Sequence, residues 1–363
     1  MEKEPMNDFK PGLEGVVAFE TEIAEPDREG GALRYRGVDI EELVGVRPYE
    51  QIWGLLVDDS FEPGMPRSED VALPTRTGSA MADLASATAA LAGHWGLGQV
   101  IDISDEQARD DLARLSAAMI SLVAQSARGD QPRVADARVA EGEIAAERFL
   151  LRWRGEADPR HVQAIDRYWV SAAEHGANAS TFTGRVVCST GADCGAAMAA
   201  AVGALGGPLH GGAPTRVLKM LDEVADRGDA EGYVTQLLDR GERLMGFGHR
   251  VYRAEDPRAR VLRATARELE SPRVEVAEAL EQAALAELAE RHPERVLATN
   301  VEFWSAVVLD IAEIPPPLFP AMFAAARVAG WSAHILEQKQ TGRLIRPSAR
   351  YVGPSPRSLT SVD

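Results

Sequence analysis

Cysteine is scarce in this chain. Its 363 residues include two, Cys188 and Cys194, too few for a disulfide framework and at no CxxC spacing. They read as small core hydrophobes of a protein kept in a reducing compartment. Basic residues are outnumbered: 39 Lys and Arg stand against 56 Asp and Glu, a formal charge of −17. That balance excludes a general binder of nucleic acid or anionic membrane, which needs basic surface. Small anions remain open, because they need only a local basic pocket. Long apolar runs are missing as well. The longest, from about Ala196 to Leu209, is interrupted by Gly203, Gly206 and Gly207 and falls short of the ~20 residues of a membrane span. The N-terminal Met1-Glu2-Lys3-Glu4-Pro5 is charged, with neither the apolar stretch of a signal peptide nor an Arg-rich presequence. A cytoplasmic location is expected. None of the seven histidines forms HExxH or a comparable ligand pair, so no metal site is expected.

What is present is ordinary for a globular protein: 45% hydrophobic and 26% charged residues. The length predicts two or three domains. Strand signals are few. Val16–Ile23 alternates weakly, and Ala32–Arg36 follows Gly30-Gly31, which together predict a small hairpin. Arg343–Val352 is a further candidate extended piece. Nearly everything else reads helical. Ser104 with Gln107 is a capping-box pattern, and Ala108, Leu112, Leu115, Met119 and Leu122 behind it share one helix face. Asp158-Pro159, Asp256-Pro257 and Ser271-Pro272 pair a capping side chain with proline at the first helical position. The third opens Val274–Arg291. A last long helix is expected from about Leu318 to Gln340, before Gly342. Glu62–Gly78 has no apolar period and reads as a surface loop.

Four residues sit in unusual company. His210 lies among glycines in Gly206-Gly207-Pro208-Leu209-His210-Gly211-Gly212, where backbone could approach a ligand closely. His249 follows Met245-Gly246-Phe247-Gly248 and precedes Arg250, Arg253 and Arg258. Position 251 is Val and no strand precedes, so the dinucleotide fingerprint fails. A tight loop with basic neighbours remains, suited to phosphate or carboxylate. His175 stands at a helix end, and Glu302 follows a helix-start signal amid apolar and aromatic side chains, where a carboxyl can become a base. Bland readings stay open for each: a C-cap loop, a solvated basic surface, a carbonyl cap, a first-turn dipole partner.

Gly207-Pro208-Leu209-His210-Gly211, Gly246-Phe247-Gly248-His249-Arg250-Val251-Tyr252-Arg253 with Asp256-Pro257-Arg258, and Asn300-Val301-Glu302 resemble the three active-site segments of the citrate synthase family. Leu33–Ile40 is similar to its LxYRGxDI element, His175–Thr183 to its HExNxST segment, and Trp331–Gln338 with Arg346-Pro347 to its C-terminal elements. The likeness spans almost the whole chain in family order.

The resemblance implies an all-α fold. A large helical domain would comprise residues 1–212 and 313–363, and a small one residues 213–312, with the active site in the cleft between them. It implies an acyltransferase that condenses acetyl-CoA with oxaloacetate to give citrate and CoA, without a cofactor. Glu302 would be the base on the acetyl methyl. His210 would stabilise the enolate, and His249 would act on the ketone. His175, Arg258, Arg327 and Arg346 would hold the dicarboxylate, Arg346 coming from the second subunit of a homodimer. Asn178 would lie close to the dicarboxylate, and Phe323 would wall the acetyl end. Met245, Gly246, Phe247, Gly248 and Arg253 would meet CoA. His334 reads as a structural hydrogen-bonding residue. Position 302 departs from the pattern, since most members carry Asp there. Two alternatives follow: a 2-methylcitrate synthase using propionyl-CoA, and a non-catalytic binder of acyl-CoA or dicarboxylate.

Overall fold

Many helices begin here where the sequence supplies a cap, but Val274–Arg291 starts behind Arg273 with no side-chain cap, so Ser271-Pro272 does not cap it as expected. In the computed structural model, which describes residues 9–27, 29, 31–211, 214–248, 252 and 254–358, the Ser104 hydroxyl accepts from the Gln107 N–H, and Asp158 accepts from the N–H groups of Arg160 and His161. Asn178, Asp256 and Asn300 do the same for the helices that follow them. One detail differs from the capping-box expectation. The Gln107 amide reaches forward to Asp111 at 2.9 Å, a neighbour one turn on.

The described helices are α1 (Ile40–Leu43), α2 (Tyr49–Asp58), α3 (Ala80–Trp95), α4 (Asp105–Arg128), α5 (Asp136–Val139), α6 (Ala145–Arg154), α7 (Pro159–Ala172) and α8 (Ala179–Ser189). They continue as α9 (Cys194–Leu205), α10 (Pro214–Arg227), α11 (Ala230–Asp239), α12 (Pro257–Glu268), α13 (Val274–Arg291), α14 (Val301–Ile311) and α15 (Phe319–Thr341). The all-α expectation holds. Among the described residues, strands are confined to one antiparallel sheet, β1 (Ala24–Asp27), β2 (Ala32–Tyr35) and β3 (Val38–Asp39), in that order.

The hairpin forms, but its first strand lies later than expected. Ala24 pairs with Tyr35 and Asp27 with Ala32. Pro26 is tolerated because β1 is an edge strand. Val16–Ile23 instead runs without a strand partner and is claimed by helices. Phe19 packs edge-on against His334, and the Glu337 carboxylate takes the Thr21 hydroxyl and the Glu22 N–H, both at 3.1 Å. Arg343–Val352 likewise forms no strand, whereas Glu62–Gly78 is the loop its composition predicts. His94 sits in the last turn of α3. Cys188 and Cys194 are buried free thiols.

The core is organised around α15, buried along most of its length and packed on α2, α4, α7, α8 and α9. It ends at Gly342, whose φ of +64° supplies the left-handed cap. Helices α10, α11 and α13 pack on one another, while α12 and α14 pack together and lie against α7. Helix α7 thus meets α12, α14 and α15, and His175 lies just beyond its C-terminal end.

Candidate active site

The turn after α7 is held by its carbonyls. Arg327 Nε donates to Ala172 O at 3.0 Å, and the Gly330 N–H to Ala173 O at 3.2 Å. The Tyr35 hydroxyl lies 3.1 Å from Val170 O and 3.2 Å from Ser171 O. This anchoring places His175 directly after a rigid end. Its Nε2 is 3.0 Å from the Tyr252 hydroxyl, and the two rings meet edge-on at 5.3 Å. His175 is therefore a buried, partnered side chain rather than an exposed cap.

Asn178 opens α8 and is fully spent doing so. Its Oδ1 accepts from the Thr181 N–H at 3.1 Å and from the Ser180 hydroxyl at 2.8 Å. Its Nδ2 donates to Gly176 O and to Thr181 Oγ1. An amide has two donors and two acceptor lone pairs, so none is left for a dicarboxylate. Asn178 positions Ser180 at the start of α8.

Ser180 is the residue that sequence reasoning missed. It is buried, and its Oγ lies 2.9 Å from His210 Nε2. The same oxygen accepts from the Trp331 indole at 3.2 Å. His210 stands in the turn after α9, its ring edge-on to Phe323 at 6.1 Å. Burial, with the Arg327 charge nearby, pushes its pKa down to about 4. At neutral pH it is an uncharged hydrogen-bonding group.

Phe323 and Arg327 lie one turn apart on α15, and the guanidinium sits 4.8 Å from the ring centroid. Arg327 is buried, and among the described residues no carboxylate makes an ion pair with it. Burial lowers its pKa, while Glu174 works in the opposite direction. A buried cation without a paired anion is the arrangement that a bound carboxylate completes.

Asp256 ties α12 to α14. Its Oδ1 accepts from the backbone N–H and Nε of Arg258, both at 3.0 Å, and its Oδ2 accepts from the Arg258 guanidinium at 2.7 Å and the Val301 N–H at 3.0 Å. Burial opposes the Arg258 charge, yet Asp256 holds its pKa above the ordinary value. The sequence marked Asp256 only as a helix start; its second role needed α14 alongside.

Glu302 occupies the first turn of α14, its N–H capped by Asn300 at 3.0 Å. Burial raises its carboxyl pKa to about 7, with Arg258 lowering it and Asp256 raising it. The Asn300 amide also donates to Gly248 O at 2.9 Å, and the Asn300 N–H to Gly246 O at 2.9 Å. Phe247 forms an isolated antiparallel bridge with Thr299. The Met245–Gly248 segment is thereby laced to the start of α14. Gly246 has a φ of +88°, and a Cβ there would stand 2.8 Å from the Phe303 Cβ, so only glycine fits.

The Arg258 charge acts on Tyr35, Tyr252 and Glu302, and the Arg327 charge on Tyr35 and His210, so these groups share one electrostatic neighbourhood. His249 and Arg253 lie outside the described residues. Arg346 is exposed in the segment after α15 and makes no hydrogen bond or ion pair among the described residues. Its own chain does not bring it into this cluster. Among the described residues, no group of His, Cys, Asp and Glu is arranged to hold a metal ion.

Residues 12–348 match the protein family described as citrate synthase, C-terminal domain. A Mycobacterium tuberculosis protein named "Putative citrate synthase 2" is 61% identical over 357 residues, covering 98% of this chain and 96% of that one. A Shewanella oneidensis protein named 2-methylcitrate synthase is 31% identical, covering 97% and 96%. Among solved structures, citrate synthase from Thermoplasma acidophilum, in a ternary complex with carboxymethyl coenzyme A and oxaloacetate, superposes with a TM-score of 0.83 at 27% identity, covering 98% and 99%.

Proposed function

This chain belongs to the citrate synthase family, an acyltransferase class, and on that footing we propose that it is a citrate synthase of the (Si) type. It would condense acetyl-CoA, oxaloacetate and water to citrate and free CoA. The observations that carry the reading are the buried Glu302 carboxyl, poised at about 7, and the uncharged His210 held by Ser180.

A methyl group beside a thioester is a weak carbon acid. Removing its proton needs a positioned base and a hydrogen-bond donor for the enolate oxygen. Glu302 takes the proton, and once the Ser180 hydroxyl turns to donate to His210 Nε2, the imidazole keeps its one proton on Nδ1 and donates it to the oxygen. The nucleophilic carbon then attacks the ketone carbon of oxaloacetate, and His249 supplies the proton to the new alkoxide. Water cleaves the resulting thioester to release citrate and CoA. His175, Arg258 and Arg327 hold the dicarboxylate, and Phe323 walls the acetyl end. Met245–Gly248 and Arg253 meet CoA. No metal or resident cofactor is required, since acetyl-CoA is a substrate.

Arg346 would complete the site of a second subunit. Its own chain leaves it exposed, and α3 turns a ridge of small side chains outward at Ala82, Ser86, Ala89 and Gly93, a surface on which another helix could pack closely. The block 213–312 would close on the rest as a smaller domain, excluding water from the reacting carbons. No described helix is long and apolar enough to cross a membrane, and we place the enzyme in the cytoplasm.

The test is release of free thiol from acetyl-CoA by the purified chain, dependent on oxaloacetate. Turnover is expected, together with its loss in Glu302→Gln. Full activity in that variant would sink the assignment of the base. Ligand binding without turnover would favour the non-catalytic reading. The Shewanella relative motivates a parallel assay with propionyl-CoA, because one methylene is worth only ~1–3 kcal/mol in a pocket. A higher specificity constant for propionyl-CoA would make the chain a 2-methylcitrate synthase.

A further inference from the structure

Away from the candidate active site, the first half of the chain encloses a cavity of about 170 Å³ between α4, α5, α6 and the loop preceding α3. Its wall is apolar at Met65, Ala117, Ile120 and Phe149, and charged at Arg67, Arg148, Arg152, Asp70 and Asp136.

The two carboxylates are already satisfied. Asp136 pairs with Arg152 and Arg133, and Asp70 pairs with Arg133 at 2.6 Å. The cations are less well served. Arg148 approaches Glu50 only to 3.5 Å and spends another donor on Glu143 O at 2.6 Å. Arg67, exposed at the mouth, donates to Ala140 O at 2.6 Å and makes no ion pair among the described residues. Burial disfavours the Arg148 charge, Glu50 offsets part of that, and the nearby Arg67 adds repulsion. An anion seated between the two would relieve that repulsion and use the spare guanidinium donors.

We propose that this cavity is a binding site for a compact amphipathic monoanion: a carboxylate held by Arg67 and Arg148, with its apolar body against Ile120 and Phe149. Size sets the class. An apolar cavity of roughly 150 Å³ accepts benzene, so a body of about six carbons fits. The bulk of an acyl-CoA does not. Selectivity for the anion is local, because the chain as a whole carries −17.

Calorimetric titration of the intact protein with hexanoate and benzoate tests this, with hexan-1-ol and benzyl alcohol as uncharged counterparts. Citrate is present throughout to occupy other carboxylate sites. One anion per chain is expected to bind about tenfold or more tightly than its alcohol, the worth of a charge-assisted hydrogen bond. Arg67→Ala, a change at an exposed side chain, is expected to erase that preference. Ser68→Trp, at the rim, is expected to weaken acid and alcohol together. Equal affinities for acid and alcohol, no binding at millimolar concentration, or unchanged hexanoate affinity in both variants would each overturn the proposal. Because the variants report on the cavity itself, the result does not depend on the activity proposed above.

Discussion

His334 Nε2 donates to Glu174 Oε1 at 3.1 Å, with both side chains buried completely or nearly so. On the other side of the ring, Nδ1 takes a hydrogen bond from Arg185 at 2.9 Å, which assigns the proton to Nε2. Glu174 precedes His175 and faces Arg327. Burial opposes its charge, but His334 first and Arg327 after it hold its pKa below the usual carboxylate range. This one buried anion adjoins His175 in the chain and offsets part of the burial of the Arg327 charge.

Gly330 makes room for that anion. A Cβ there would stand 2.0 Å from Glu174 Oε2 and 2.6 Å from Ala173 O. Gly330→Ala is therefore expected to cost about 1–3 kcal/mol by overpacking. Urea denaturation reads this as a lower midpoint at unchanged slope. A midpoint equal to that of the native protein would mean α15 and α7 separate freely, contrary to the packing seen.

The Glu302 carboxyl is a base only when deprotonated. With its pKa pushed up to about 7 by burial, activity is expected to rise through pH 7 and to level off above it. Glu302→Asp retracts the carboxylate by roughly the length of one C–C bond. Displacement on that ~1 Å scale costs up to ~100-fold in rate. A pH–rate profile flat between 5 and 9, on the order of two units either side of that pKa, would remove Glu302 from the proton transfer.

Ser180→Ala leaves His210 Nε2 without its 2.9 Å partner. Its effect is expected mainly in kcat, by about tenfold, because a hydrogen bond that orients a reacting group is worth ~1 kcal/mol or more. Ser180→Thr retains the hydroxyl and should recover part of the loss. A change confined to KM would show that Ser180 serves binding and not His210.

Asp166 is buried on α7, where its Oδ1 accepts from the Tyr49 N–H at 2.9 Å. Burial raises its pKa to about 7, the Tyr49 N–H works against that shift, and Glu50 adds to it. The folded chain therefore holds this proton more tightly than the unfolded one. Stability from this group is present at pH 4 and is lost as pH rises from ~4 towards 7. Asp166→Asn keeps the acceptor without the charge. It should raise stability at pH 8 by up to about 4 kcal/mol, as three pKa units imply, and change little near pH 4. Equal melting-temperature shifts at both pH values would contradict the burial argument.

Helix beginnings were readable in the sequence because a cap acts over two or three residues. Asp158-Pro159 and Asp256-Pro257 start helices at the expected positions, and Val274–Arg291 is helical over its predicted span. The motif segments, read together, also determined the family. Tertiary structure decided what those local signals could not hold. It drew the expected first strand, Val16–Ile23, onto α15 and left the hairpin to start at Ala24, and it engaged the Asn178 amide within its own turn. It supplied His210 with a serine 30 positions away and bonded Glu174, the neighbour of His175, to His334 160 positions along the chain. The shifted acidity of Glu302 is of the same kind, for burial is a sum over neighbours from several helices, and no window of sequence contains them all.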